Sequence, residues 1–183
     1  MIILASKSPR RQRLMHEITH EFVVEVSHID ESSSLNLTPV EAVKDIAKRK
    51  GFDISKRHPG DTIISADTIV VIDNQIIGKP KDEEDAKRIL NLLSNRTHIV
   101  YTAFCLIKDD KFYEEIVASE VTFNKLDEKT ISDYIASGSP MDKAGAYGYQ
   151  DNADYKIVKS VKGSISNVIG FPLDEIKRAL KEF

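Results

Sequence analysis

Charged side chains stand at two places in the sequence where their surroundings do not favour them. Asp67 interrupts the apolar run Ile63–Ile72, and burying a carboxylate there is costly unless a cation or a metal pairs with it. Arg10 and Arg11 follow a helix start at Ser8, although cations oppose the helix dipole at that end. Alternatives stay open: Asp67 facing water on an edge strand or pairing with an arginine, and a simple capped helix with solvated arginines.

The segment from Ser6 to Arg11 would bind an anion. Ser8 followed by Pro9 predicts a helix start, whose free N–H groups and positive dipole end attract phosphate. Arg10 and Arg11 add two guanidinium groups that match pairs of phosphate oxygens. The segment is therefore a candidate phosphate site.

Three further features are weaker by themselves. Lys79 lies in the turn Gly78-Lys79-Pro80, where it offers a point charge to an anion, although a surface turn explains it equally well. Asp30 and Glu31 form an acidic pair suited to Mg²⁺ or Mn²⁺, although most such pairs face solvent. Lys50 lies at the predicted end of a helix, where the dipole alone would account for a cation.

A loop of glycines and tyrosines runs from Asp142 to Gln150. Its two glycines and two aromatic side chains would suit a ligand with a flat ring, which could stack against the backbone. The amide of Gln150 can both donate to and accept from the edge of a base. The alternative is a structural loop in which Tyr147 and Tyr149 pack inward. The sequence leaves both interpretations open.

Composition narrows the class of protein. The chain has 183 residues, a net charge of −3, a pI near 6.0 and one cysteine. We expect a single domain over residues 1–183, a reducing cytoplasmic location and no general nucleic-acid binding, because such binders usually carry surplus positive charge. No apolar run approaches the ~20 residues needed to span a bilayer, so we expect no membrane association.

The elements that position these residues alternate between helices and strands. We predict helices over 9–18, from Pro39 to about Lys50 with Gly51 as the stop, 82–93, 127–137 and 173–182. We predict strands over 2–5, 22–27, 62–72, 75–77, 97–107, 112–124 and 155–161, with a polar loop over 28–37. Hairpin signals beside βα units predict an α/β fold with a mixed sheet.

Together these motifs resemble the Maf family of nucleotide pyrophosphatases. The set spans nearly the whole chain and is specific as a set, although no single part is. The matching pieces are Leu4–Arg11, Ala66–Val70, Gly78–Pro80, Ala144–Gln150 and Gly163–Pro172.

The resemblance implies a mixed twisted sheet in two lobes with a central cleft, similar to inosine triphosphate pyrophosphatases. It implies hydrolysis of dTTP and UTP to the nucleoside monophosphate and pyrophosphate, with Mg²⁺ or Mn²⁺ as cofactor. The implied roles are proton acceptor and metal ligand for Asp67, metal ligand for Glu31, substrate and phosphate binding for Ser8, Arg11, Lys50 and Lys79, and base specificity for Arg10, Thr68 and Gln150.

Two other functions stay open beside the one that the resemblance implies, and the chain departs from the usual family sequence at two positions. The chain could be a nucleotide-binding regulator of septum formation without turnover, or it could act on 7-methyl-GTP like a sister subgroup, against which Arg10, Thr68 and Gln150 argue. The family usually has glycine where this chain has Asp151, which bears on loop flexibility near the base, and leucine where it has Phe171. The resemblance also predicts a homodimer.

Overall fold

The computed structural model describes residues 1–34 and 36–183; position 35 of the predicted loop 28–37 lies outside them. The described helices are α1 Pro9–Met15, α2 Pro39–Ser55, α3 Glu83–Leu93, α4 Glu128–Ala136, α5 Asn152–Tyr155, α6 Ile165–Ile169 and α7 Leu173–Glu182, with short 3₁₀ turns at Glu31–Ser34, Ser139–Asp142, Ala144–Ala146 and Tyr149–Asp151. The strands are β1 Ile2–Ala5, β2 Val23–Val24, β3 Thr62–Ile72, β4 Gln75–Ile77, β5 Thr97–Lys108, β6 Lys111–Phe123 and β7 Val158–Lys162.

The described strands form one mixed sheet in the order β2-β1-β3-β5-β6-β7, with β4 paired to β3 off this path. β1 is parallel to both β2 and β3, whereas β3 with β4 and β6 with β7 are antiparallel. The prediction of an α/β fold with a mixed sheet is confirmed. None of the helices in the described part of the chain is both long enough and apolar enough to cross a membrane.

The chain divides into two compact units. The first contains residues 1–68, 102–117 and 166–183, and the second contains 69–101 and 118–165. The core of the first unit joins apolar residues of β1, α1, β3, β5, α7 and the segment just before α7: Leu4, Leu14, Met15, Ile64, Ala66, Phe104, Leu106, Phe171, Leu173, Ile176 and Ala179. Phe171, the departure from the usual leucine, is fully buried in this core.

Gly51 does not end α2, and the predicted stop there is wrong. The helix continues to Ser55, and Gly51 is buried inside it. A Cβ at Gly51 would lie 2.7 Å from both Ile107 Cδ1 and Ser65 Oγ. Glycine is therefore required because α2 packs closely against the sheet of the first unit, and this close packing outweighs the low helix propensity of glycine.

Other element boundaries also differ from the prediction. α1 ends at Met15, and β2 is limited to Val23 and Val24, which pair only with β1 at the edge of the sheet. β7 begins at Val158 because α5 occupies the preceding residues and Lys156 is left-handed with φ 50°.

Candidate active site

Successive residues of β3 face opposite sides of the sheet in the first unit, as the pleat of a strand requires. Ala66 belongs to the core that includes α1 and α7. Ser65 faces the other way, because its Oγ donates to the carbonyl of Ala47 in α2 at 2.7 Å. Asp67 and Thr68 continue this alternation, with Asp67 on the α2 side and Thr68 on the α1 side, as their contacts show.

Asp67 pairs with Lys50, and Lys50 also pairs with Glu31. The ammonium of Lys50 lies 3.0 Å from Asp67 Oδ1 and 3.0 Å from Glu31 Oε1. The side chains of Lys50 and Asp67 are only 16% and 14% exposed, whereas that of Glu31 is 55% exposed. The Lys50 ammonium therefore pairs with two carboxylates, one of them that of Asp67, which the sequence alone places in an unfavourable apolar strand.

This cluster excludes three of the alternatives. β3 lies between β1 and β5, so Asp67 is not on an edge strand, and its ion-pair partner is a lysine and not an arginine. Lys50 lies five positions before the end of α2, so the dipole at the end of the helix does not explain it. Lys50 is next to Gly51, where α2 packs closely against the sheet, and its ammonium therefore reaches Asp67.

The guanidinium of Arg11 is held at three nitrogens by groups of the first unit. Nε donates to the carbonyl of Gly170 at 2.8 Å, Nη2 to Thr68 Oγ1 at 2.9 Å and Nη1 to Ser6 Oγ at 3.4 Å. Burial lowers the pKa of Arg11 from its usual value, while the charge of Asp67 acts in the opposite direction. Arg11 is thus a fixed cation close to the residue that follows Asp67.

Thr68 receives its orientation from a buried neighbour. Thr102 is fully buried, lies 2.9 Å from Thr68 Oγ1 and donates to the carbonyl of Asn167 at 3.2 Å. The Thr68 hydroxyl has one proton, for which Thr102 Oγ1 at 2.9 Å and the carbonyl of Gly170 at 3.4 Å are both acceptors, and in either case it presents a lone pair to Arg11. The Thr68 side chain, predicted to act in base specificity, therefore contacts the predicted phosphate-binding arginine.

Ser8 caps α1, which confirms the predicted helix start. Its Oγ accepts from the backbone N–H of Arg11 at 3.4 Å, and its own N–H donates to Ser6 Oγ at 3.2 Å. α1 has only seven residues, so its dipole is short and the arginine charges contribute most of the positive field. Arg10 is half-buried, and its charge acts to lower the pKa of Arg11.

Within the acidic pair, Asp30 and Glu31 have different roles. Asp30 Oδ1 accepts from the N–H of Ser32 at 2.9 Å and from its hydroxyl at 2.6 Å. These bonds lower the pKa of Asp30 and fix the local turn. Glu31, by contrast, reaches Lys50.

The second unit contains the two remaining predicted side chains, Lys79 and Gln150. Lys79 is exposed on the turn after β4, and Gln150 is exposed in the 3₁₀ turn Tyr149–Asp151. The carbonyl of Gly78 accepts from the N–H of Gly145 at 3.1 Å, which ties the two loops together. Both side chains are accessible to a ligand.

Tyr147 packs inward, as one of the two interpretations of its loop predicted. It is 6% exposed, its hydroxyl lies 2.6 Å from His98 Nε2, and its ring meets Phe123 edge to face. Burial raises the pKa of Tyr147 and lowers that of His98 to about 4. The Tyr147 ring therefore belongs to the core of the second unit and does not offer a stacking surface.

Sequence reasoning missed three groups that hold Arg11 and Thr68. Ser6 gave a signal, since it lies one residue before Lys7 in the motif that was singled out. Gly170 lies in the run Gly163–Pro172, but its contribution is a carbonyl, which no side-chain pattern can show. Thr102 had no signal, because a β-branched residue inside a strand is ordinary.

A divalent cation would find two protein ligands in the first unit. No three histidine, cysteine, aspartate or glutamate side chains within residues 1–34 and 36–183 cluster as a complete metal site. Glu31 and Asp67 do converge on one cation, the Lys50 ammonium. Mg²⁺ commonly takes one or two carboxylates together with substrate phosphates and water, so this donor set fits it.

Solved structures and relatives of known sequence match this chain over its length. The fold is similar to the Ham1 protein of Staphylococcus aureus, with a TM-score of 0.54 at 15% identity over 99% of this chain and 98% of that one. It is also similar to a HAM1 protein from Coxiella burnetii, with a TM-score of 0.55 at 17% identity over 100% and 98% of the two chains. These likenesses support the predicted fold.

Sequence relatives are much more similar. The dTTP/UTP pyrophosphatase of Symbiobacterium thermophilum is 42% identical over 100% of this chain and 93% of its own. The proteins of the same name from Clostridium beijerinckii and Thermococcus gammatolerans are 43% and 42% identical, over 99% and 96% of this chain and 98% and 93% of their own. The model of the family described as Maf-like protein matches residues 1–183. With its motifs, fold and relatives in agreement, this chain belongs to the Maf-like protein family.

Proposed function

We propose that this protein hydrolyses dTTP and UTP to the nucleoside monophosphate and pyrophosphate. The observation that carries the proposal is the cluster in which Lys50 joins Asp67 and Glu31 while Arg11 bonds to Thr68, the next residue of β3. It supplies a fixed carboxylate and fixed cations, which hydrolysis of a phosphoanhydride requires. The relatives named dTTP/UTP pyrophosphatase support the choice of substrate.

Asp67 is the proposed proton acceptor for the attacking water. Its Oδ1 is held by Lys50 at 3.0 Å, so the carboxylate has a fixed direction and a partly offset charge. The water oxygen bonds to the α-phosphorus, its proton passes to Asp67, and the bond from that phosphorus to the α–β bridging oxygen breaks. Pyrophosphate then leaves with the electron pair of that bond.

Arg11 is the proposed phosphate clamp. Three of its nitrogens each donate one N–H to the protein, and a guanidinium has five such donors, so two remain for phosphate oxygens. Fixing a cation before the substrate arrives avoids reorganisation in the transition state. Ser8, Lys50 and Lys79 are proposed as further substrate contacts.

Glu31 and Asp67 would hold a divalent cation, Mg²⁺ or Mn²⁺. When bound, such a cation neutralises triphosphate charge and makes a bound water more acidic. Lys50 lies between the same carboxylates, so its ammonium offsets their mutual repulsion before the substrate binds. Base choice is assigned to Arg10, Thr68 and Gln150, and residues 1–183 act as one catalytic domain in this proposal; the homodimer and the cytoplasmic location stay predictions.

A pyrophosphate-release assay over dTTP, UTP, CTP and GTP, with Mg²⁺, Mn²⁺ or chelator, tests the proposal. Wild-type protein should release pyrophosphate from dTTP and UTP in preference and lose activity with chelator. Asp67→Asn should lower kcat by about 10³-fold, because the amide cannot accept the water proton. Circular dichroism should show that the variant is folded.

Asp45→Asn is a matched control, because Asp45 is a carboxylate of α2 paired with Arg49 at 2.8 Å. Its kcat should equal that of the wild type. Nucleotide binding by calorimetry without release of pyrophosphate would favour the regulator over the enzyme. Full turnover by a folded Asp67→Asn protein would refute the role of that carboxylate.

A further inference from the structure

The loop that carries Gln150 is fixed by polar contacts within the second unit. Asp151 Oδ2 accepts hydrogen bonds from the Tyr134 hydroxyl and from Ser139 Oγ, each at 2.7 Å. The ammonium of Lys143 donates to Ser139 Oγ at 3.1 Å. Tyr134 and Lys143 are only 1% and 8% exposed. The Asp151 carboxylate is therefore the meeting point of two hydroxyl donors, one of them supported by a buried cation.

Tyr134 bonds to the chain on both sides of the pair Tyr149 and Gln150. Its hydroxyl donates to Asp151 on one side and accepts from the N–H of Gly148 at 3.0 Å on the other. Burial and the neighbouring carboxylate raise the pKa of Tyr134, so the phenol stays protonated and able to donate. The ring is held against Tyr155 at a centroid distance of 4.8 Å. One buried side chain thus bonds to the residues before and after Tyr149 and Gln150.

The side chain of Gln150 packs against Gly148. A Cβ on Gly148 would lie 2.8 Å from Lys143 Cε and 3.1 Å from Gln150 Cδ. The glutamine amide carbon therefore packs directly over the α-carbon of Gly148, whose N–H is the one that Tyr134 accepts. The exposed glutamine therefore packs at its amide end against a restrained backbone.

We propose that Tyr134 and Asp151 are positioning residues for base selection, acting through Gln150. They hold the turn so that the Gln150 amide meets a nucleobase in one orientation, which reduces the entropy lost on binding. The inference rests on the proposed function, because Gln150 must read a base for its position to matter. It also gives Asp151 a role: the carboxylate stiffens the turn that follows the glutamine.

Tyr134→Phe tests this inference, because it keeps the ring and removes both hydrogen bonds. The kcat/KM values for pyrophosphate release from dTTP, UTP, CTP and GTP should be compared with wild type. The preference for dTTP over CTP should fall about fivefold, the size expected when one hydrogen bond between the Gln150 amide and the base is lost. Gln150→Ala should lower the same ratio, and the double variant should lower it no further than Gln150→Ala alone.

Tyr113→Phe is the matched control, because the Tyr113 hydroxyl donates to the Glu115 carboxylate at 2.6 Å in the first unit. Its nucleotide preference should equal that of wild type. Asp151→Ala removes the acceptor of the Tyr134 and Ser139 hydrogen bonds and should cause the same loss of preference for dTTP over CTP. If circular dichroism and Tm show that Tyr134→Phe does not fold, Asp151→Ala serves as the test in its place.

Equal losses for all four nucleotides, or additive effects in the double variant, would show a merely structural role and overturn the inference. Wild-type protein without turnover, or without preference among bases, would refute the proposed function and this inference with it. The two failures are distinguishable, because the second is seen in the wild type and the first only in the variants.

Discussion

The two units of the chain hold their polar groups in opposite ways. In the first unit, Lys50 and Asp67 are mostly buried and bonded to each other, and Arg11 is tied at three nitrogens. In the second unit, Lys79 and Gln150 are exposed on loops, and the polar bonds lie beneath them.

This difference separates two tasks. Charges that are fixed and partly buried need little rearrangement when charge develops in a reaction, so they suit the chemical step. Exposed side chains on restrained loops can meet ligands of different shape, so they suit recognition. We therefore expect the first unit to govern kcat, and Lys79 and Gln150 of the second to affect mainly KM and, together with Arg10 and Thr68, nucleotide preference.

Removing one lysine from each unit should have the largest effects and tests the division of tasks most directly. Lys50→Met should lower kcat by about 10³-fold, because Asp67 and Glu31 lose their shared cation and Asp67 loses its orientation. Lys79→Met should raise KM by about tenfold and change kcat little, because an exposed ammonium contributes mainly to binding the triphosphate. Steady-state kinetics with dTTP would measure both.

Lys44→Met is the control for Lys50→Met, because Lys44 lies in the same helix, α2, and pairs with a carboxylate outside the cluster, that of Glu114 in β6, at 3.1 Å. It should leave kcat and KM at wild-type values. If Lys79→Met lowered kcat as much as Lys50→Met does, the division of tasks between the units would be wrong.

Acid should affect the protein through a buried group of the second unit, His98. Burial lowers the pKa of His98 from 6.5 to about 4, so the unfolded chain binds the proton more tightly. The stability that depends on neutral His98 is present above the unfolded pKa and is lost as pH falls from 6.5 towards 4. Between about pH 7 and about pH 4.5 this contribution amounts to about 2–3 kcal/mol.

Urea unfolding of wild type and His98→Gln at the two pH values measures that contribution. Glutamine cannot titrate but can still bond to the Tyr147 hydroxyl, so the variant should lose less stability on acidification. An identical loss in both proteins would show that acid acts elsewhere, for example on the ion pairs of the first unit.

A smaller effect is expected from the hydroxyl groups beside Arg11. Thr102→Val removes the hydroxyl 2.9 Å from Thr68 Oγ1 and leaves Thr68 the more distant carbonyl of Gly170 at 3.4 Å, so Thr68 can turn and loosen Arg11. The kcat/KM for dTTP should fall about fivefold. Thr97→Val is the control in the same strand, since Thr97 shares a 2.8 Å hydroxyl contact with Thr122. Equal effects of the two valines would argue against the positioning of Arg11 by Thr102.

Motifs with strong local signals were predicted well. The cap at Ser8 and the strand around Asp67 are both present. These features depend on neighbours in sequence, which is why the sequence shows them.

Features that depend on distant packing were missed. Gly51 has the pattern of a helix stop, yet it continues α2 because Ile107 and Ser65 leave no room for a side chain. That error hid the true reason for Lys50, whose partner Asp67 lies 17 residues away. Tyr147 was ambiguous because only the fold shows His98 beside it.

The alternation along β3 makes the site sensitive to the length of the chain before it. β1 fixes the register, with Leu4 opposite Ile64 and Ala5 opposite Ser65. Inserting one amino acid between Ser65 and Asp67 would swap the two faces, turning the carboxylate towards α1 and the threonine towards α2. Inserting two would restore the facing but move both side chains about 7 Å along the strand. Insertions and deletions here should be tolerated far less well than substitutions.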